Sequence, residues 1–307
     1  MPNYTYPGVD PLRAAVKNKL GLTSYDDFEI VSAALVASRA SEILAGAGPA
    51  RSFDAAHLKA IHRHLFQDVY EWAGHTRDEQ VKLSDGTVAT EPMLRKVDGK
   101  PFMDGPLIPA ALERIATTLR ESNYLRGLPR EEFAARAADI MIEINGAHPF
   151  REGNSRTQRA FVRELAKQAG HDLDFSVVTR ERMIQASIAG NEQGDSTMMR
   201  RRFGEITNPA RVAALEKAID DLGRHDFPWN DSYVATAEPG RKVEVTMAGI
   251  AGDQFMARTG TAILIGQVSD LPTPHPVRGE MFSFEPTSWE RTRQPPPHER
   301  TRGGRGR

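Results

Sequence analysis

From residue 28 to residue 203 the apolar residues recur every three or four positions, and beyond Pro228 and Trp229 they no longer do. This change of period constrains the fold more than any other feature. It predicts a helical body followed by a smaller β body. Residues 28–44 are rich in Ala, Leu, Ile and Val and stop at Gly46-Ala47-Gly48-Pro49, so they read as one helix. Across residues 53–72, Leu58, Ile61, Leu65, Phe66 and Val69 share a face, with Ser52 as the expected cap. Residues 107–124 and 131–145 repeat the pattern, the second through Phe133, Ala137, Ile140, Met141 and Ile144. Further helices are expected over 156–168 and over 180–203, the latter broken near 190–194.

Residues 80–105 interrupt the helices. KLSDGTVAT and KVDGKPFMDG each place Asp-Gly between strand-tolerant residues, which predicts one or two β-hairpins. After Trp229, residues 232–237, 241–249, 254–258 and 261–268 are short, β-branched runs separated by Gly, Pro or Asp. That spacing predicts a small barrel or sandwich. With 307 residues the chain is expected to hold two domains. The expected boundaries are an N-terminal arm over 1–27, a helical domain over 28–210 and a connecting helix or linker over 211–228. A β domain over 229–290 and a disordered basic tail over 291–307 complete the division.

Composition excludes several classes. The net charge of −1 provides no global basic field to draw the chain to nucleic acid or membrane. Cysteine is absent, which excludes disulfides, thiolate zinc sites and cysteine nucleophiles. The start, MPNYTYPGVDPLR, has neither a basic n-region nor an apolar h-region, so a cytoplasmic protein without a signal peptide is expected. The apolar run 30–38 is too short to cross a bilayer.

The chemistry concentrates in HPFREGNSRTQR, residues 148–159. Gly153, Asn154 and Ser155 lead directly into a helix N-terminus, where unpaired N–H groups and the helix dipole attract anions. Gly153 permits an unusual backbone angle and Asn154 tolerates one. Arg156 and Arg159 lie three residues apart on one helical face. Two guanidiniums beside such a turn fit a polyphosphate, whereas without the turn they read as a solvated face. Glu152 either neutralises an arginine or holds Mg2+ together with phosphate oxygens. His148 either accepts a proton from an incoming hydroxyl or is a helix-terminal histidine bonded to the backbone. Phe150 reads as a core anchor.

The stretch resembles the Fic motif, His-x-Phe-x-(Asp/Glu)-Gly-Asn-Gly-Arg-x-x-Arg, with Ser155 as its departure. YEWAGHTR, residues 70–77, is similar to the segment that leads into the Fic target-docking flap. DFSVVTRERMIQASIAGNEQGD, residues 174–195, is similar to the region after the motif. The whole layout resembles the Fic-plus-OB proteins among type IV secretion effectors, such as those of Bartonella, and conjugation-linked toxins. The resemblance implies a mainly α fold: an all-helical Fic domain with an inserted β-hairpin flap, followed by a small OB-like β-barrel. It also implies transfer of AMP from ATP to a Ser, Thr or Tyr hydroxyl of a target protein. In that reaction His148 is the base and Glu152 binds Mg2+. Gly153, Asn154 and Ser155 form the anion nest, and Arg156 and Arg159 hold the β- and γ-phosphates. The flap pairs with the target backbone as an added strand; Lys96, Val97, Asp98 and Gly99 are its nucleotide-proximal residues. Gln185 and Asn191 fall where the family lines its adenine pocket. The resemblance extends to delivery into a recipient or host cell by a type IV system.

Two departures follow. Serine at position 155 costs on the order of 1–2 kcal/mol if the backbone there is left-handed and nothing if it is helical. Control is the other: the family's inhibitory pattern (Ser/Thr)-x-x-x-Glu-(Gly/Asn) is not legible in the chain, and the nearest miss ends at Glu121-Ser122. A separate antitoxin-like protein supplying a glutamate to Arg159 is therefore expected. Transfer of another phosphate-containing moiety stays open. So does a binding module dominated by the OB-like part, although residues 229–289 carry few basic strand residues for single-strand binding.

Overall fold

The computed structural model describes residues 15–96 and 100–289. Val97, Asp98 and Gly99, residues 1–14 of the expected arm and the basic tail lie outside the described residues. Contacts divide the chain into two units between Thr207 and Asn208.

The apolar periodicity of the first unit is realised as α1 (Tyr25–Leu44), α2 (Ala55–Phe66), α3 (Ile108–Glu121), α4 (Arg130–Ala147), α5 (Asn154–Ala169), α6 (Arg180–Glu192) and α7 (Thr197–Ile206). α4 is central and packs against α3, α5, α6 and α7. Its apolar residues spread around the helix, so Phe133, Ala137, Ile140, Met141 and Ile144 are all buried, as a helix covered on several sides requires. The expected break in the sixth helical stretch falls between α6 and α7, with Gly194 at φ +69°. Ser52 is not the cap of α2. Asp54 is: its Oδ1 accepts from the His57 N–H at 2.9 Å, and Ser52 donates its hydroxyl to the same oxygen. A carboxylate supports the positive end of the helix better than a hydroxyl does.

The residues that flank each Asp-Gly step pair with one another. β1 (Val81–Lys82) and β2 (Val88–Ala89) pair antiparallel, with Gly86 at φ +83° in the turn. The second hairpin is shorter, a single antiparallel bridge between Arg95 and Pro101. Backbone bonds from Lys96 to Lys100 and from Phe102 to Leu94 flank that bridge.

The second unit holds α8 (Pro209–Arg224) and one five-stranded sheet. Its strands are β3 (Val234–Thr236), β4 (Val243–Ala251), β5 (Gln254–Thr259), β6 (Ala262–Gln267) and β7 (Met281–Phe284), in the order β3-β6-β5-β4-β7. Only β3 and β6 run parallel. The expected barrel does not close among the described residues, because β3 and β7 remain opposite edges of an open sheet. β7 was not expected. It follows a proline-rich stretch and has four residues, but MFSF does alternate, with Phe282 and Phe284 buried in the core beside Val245, Met247 and Phe255. The segment expected as a connection is mostly α8. It packs on β3 and β6, buries Ala214, Leu215 and Ala218, and ties Arg211 to Thr236 at 2.7 Å. No described helix is long and apolar enough to cross a membrane.

Candidate active site

α4 ends by turning left-handed. His148 caps it at φ 43°, ψ 59°, a conformation that costs a non-glycine residue energy and recurs at functional sites. The turn lays the imidazole flat on Phe102 of the second hairpin, ring centres 3.8 Å apart and 18° from parallel. Nδ1 is buried without a hydrogen bond of good geometry. Burial, then the positive charges of Arg77 and Lys96, push the histidine down to about 3, against a weak opposing pull from the Asn145 carbonyl. The ring is therefore neutral at physiological pH and competent to accept a proton.

Two buried arginines, Arg77 and Arg151, hold the loop after His148. Arg77 donates from Nε to the His148 carbonyl at 2.8 Å and from Nη1 to the Pro92 carbonyl at 2.6 Å. Its Nη2 reaches the Met103 carbonyl. Arg151 donates to the carbonyls of Glu79 at 2.6 Å and Ala89 at 2.7 Å, with its guanidinium 5.5 Å from the centre of the Trp72 ring. Together they fasten the motif loop to both hairpins. Arg151 occupies a variable motif position and reads as surface, and nothing local marks Arg77 as buried. Phe150 is buried, as expected, and stacks on His62 at 4.0 Å.

The Asn154 side chain is buried and turned into the loop. Its Oδ1 accepts from the Phe150 N–H at 2.9 Å and its Nδ2 donates to the Phe150 carbonyl at 2.7 Å. The amide closes the loop on itself, the local bonding for which Asn is suited. Only its backbone N–H is left for an anion.

Gly153 is required twice. Its φ is +81°, and a side chain there would begin 2.3 Å from the Phe66 ring. Ser155 is the second residue of α5, exposed and helical, so its Cβ is unstrained. The backbone N–H groups of Asn154, Ser155 and Arg156 precede the first i→i−4 bond of α5, which Thr157 makes to Gly153, and they form the expected anion-attracting end. Glu152 accepts from the Gly153 N–H at 2.9 Å and lies 3.4 Å from Arg156 Nη2 through the same oxygen. Its side chain is half exposed.

A cavity of about 990 Å³ opens beside this turn. His148, Ser155 and Gln158 line one part of it, Lys96 and Phe102 come from the second hairpin, and Asn191 from α6. Lys96, expected at the nucleotide, has its ammonium on Glu192 at 2.8 Å. Gln185 does not line the cavity. Ile184, Ser187, Ile188 and Asn191 do, at the spacing of one helical face, and Gln185 is turned about 100° from Ile184; it donates to Glu181 at 2.6 Å instead. Arg156 and Arg159 line a second cavity of about 380 Å³ along α1 and α5, with Val36, Ala37, Ala40 and Arg163. No carboxylate among the described residues pairs with Arg159. Burial and the neighbouring Arg156 and Arg163 lower its affinity for a proton, the mark of a cation that lacks its anion.

The motif region lies within residues 52–166, which match the model of the Fic/DOC family. The solved structure of the type IV secretion system effector protein BepA is similar to this chain with a TM-score of 0.83 and 34% identity, covering 93% of this chain and 96% of that one. The chain belongs to the Fic/DOC family. A second solved structure, the VirB-translocated effector protein BepC of Bartonella tribocorum with bound AMPPNP, is 39% identical over 67% of this chain and 97% of its own, with a TM-score of 0.64. A protein adenylyltransferase of Bartonella henselae is 36% identical over 88% of this chain and 49% of its own length. The chain thus spans about half the length of that curated relative.

Proposed function

We propose that this chain transfers AMP from ATP to a Ser, Thr or Tyr hydroxyl of a target protein. One observation carries the reading: a neutral, half-buried His148 and the N-terminus of α5 face one nucleotide-sized cavity. His148 takes the proton of the target hydroxyl. The hydroxyl oxygen bonds to the α-phosphorus, the bond from that phosphorus to the β-bridging oxygen breaks, and pyrophosphate leaves. The N–H groups at the start of α5 hold the phosphates, and Arg156 and Arg159, which line the second cavity along α1 and α5, are assigned the β- and γ-groups from that side of the helix. The protein supplies placement and charge neutralisation rather than covalent chemistry. Glu152 fits Mg2+: one of its oxygens bonds the Gly153 N–H and the other is left, which suits a cation that takes one carboxylate plus phosphate oxygens and water. The ion, when bound, neutralises phosphate charge.

The second hairpin, beside His148, is the docking edge for the target strand. The open C-terminal sheet is read as an OB-like module that contributes target contacts. Arg159, half-buried beside α1 and without a carboxylate partner among the described residues, is the seat for a glutamate from a separate inhibitor protein. The likeness to BepA supports delivery through a type IV system.

Incubation with lysate, Mg2+ and ATP labelled at either the α- or the γ-phosphate tests the activity. Protein labelling is expected from the α-position alone and is lost in His148→Ala. Labelling from the γ-position alone overturns AMP transfer.

A further inference from the structure

Glu192 is the last residue of α6. A carboxylate at the negative end of a helix is unfavourable unless cations offset it. Here two do. Oε1 accepts from Lys96 Nζ and Oε2 from Lys100 Nζ, each at 2.8 Å. These lysines stand opposite each other across the second hairpin, where the Lys96 N–H bonds the Lys100 carbonyl. Like charges directly opposite destabilise such a pair, and Glu192 cancels that repulsion. Phe102, two residues beyond Lys100, projects from the same face. Its ring lies 5.5 Å from the Lys96 ammonium and stacks on His148. A continuous line of contacts therefore runs from the end of α6 through Lys96 and Phe102 to the base.

The hairpin has little to hold it shut by itself. A two-stranded ribbon with one bridge is marginal in water. Arg77 fastens its base through the Pro92 and Met103 carbonyls, and Glu192 fastens it near the turn. Between these points Lys96, Pro101, Phe102 and Met103 form one wall of the large cavity.

We infer that Glu192 is a positioning residue whose carboxylate clamps Lys96 and Lys100, so that the second hairpin closes the cavity and keeps Phe102 on His148. The inference rests on reading that cavity as the nucleotide site. A lone exposed ion pair contributes little, but one carboxylate that satisfies two lysines and relieves their repulsion controls how often the hairpin opens.

The test compares the full chain with Glu192→Gln and Glu192→Asp. Hydrogen exchange of the peptide covering residues 94–103 is followed without nucleotide, and ATP binding is measured by titration. In Glu192→Gln the Lys96 and Phe102 amides should exchange about fivefold faster, and the ATP dissociation constant should rise by a similar factor. The melting temperature should barely move, and Glu192→Asp should recover part of both effects. Labelling assays should show the change in KM for ATP rather than in kcat. Unchanged exchange in Glu192→Gln overturns the clamp. Faster exchange with unchanged ATP affinity overturns its role at the cavity. A wild-type chain that binds no ATP removes the nucleotide reading, while the exchange result still decides the clamp.

Discussion

The ring of Phe102 lies flat against the ring of His148, 3.8 Å between centres, and covers one face of the base. Desolvation first, then the charges of Arg77 and Lys96, hold the half-buried His148 down at about 3, below its usual 6.5. In the free enzyme kcat/KM should therefore show no acid limb from His148 between pH 8 and pH 5. Phe102→Ala opens the ring to water, and its pH profile should gain a limb that moves toward pH 6. A wild-type profile that falls off near pH 6.5 would count against a buried neutral base.

His148 and His62 also set the acid stability of the fold. His62 is fully buried and likewise held at about 3, by burial first and then by Arg156 and Arg151. Both groups bind protons more tightly unfolded than folded. Stability is thus complete above pH 6.5 and is lost as the pH falls toward 3. Each histidine should cost about 1.4 kcal/mol per pH unit in that window. Urea unfolding at pH 7, 6 and 5 measures the slope, and His62→Gln should reduce it.

Ser155 sits in helical backbone at the start of α5, so replacing it with glycine relieves no strain. Ser155→Gly should leave α-phosphate labelling unchanged and lower stability by about 0.5 kcal/mol through helix propensity. A marked gain in labelling would mean that the Cβ obstructs the phosphates.

The Asn154 amide bonds both backbone groups of Phe150. Asn154→Ala strands the buried N–H and carbonyl of Phe150 and should cost about 2–4 kcal/mol, with labelling falling alongside. Asn154→Asp keeps the acceptor and loses the donor, so it should fall between. An alanine variant of full stability with weak ATP binding would instead assign the side chain to the nucleotide.

The residue pattern alone was enough for the helical body, the change to strands after Trp229, the two hairpins and the order of chemical groups along residues 148–159. These are short-range properties: side-chain period, Asp-Gly turns, and a glycine turn at a helix start. The tertiary structure decided the rest. Gln185 turns away from the cavity because of where α6 meets its neighbours. β7 exists because Met281–Phe284 finds β4, and the sheet stays open because its edge strands do not meet. The buried roles of Arg77 and Arg151, the clamp from Glu192 to Lys96 and the lowered pKa of His148 depend on partners 15 to 96 residues apart, as at Arg77–Pro92 and Lys96–Glu192. Burial and charge at such distances arise only when the chain is folded, and no local spacing encodes them.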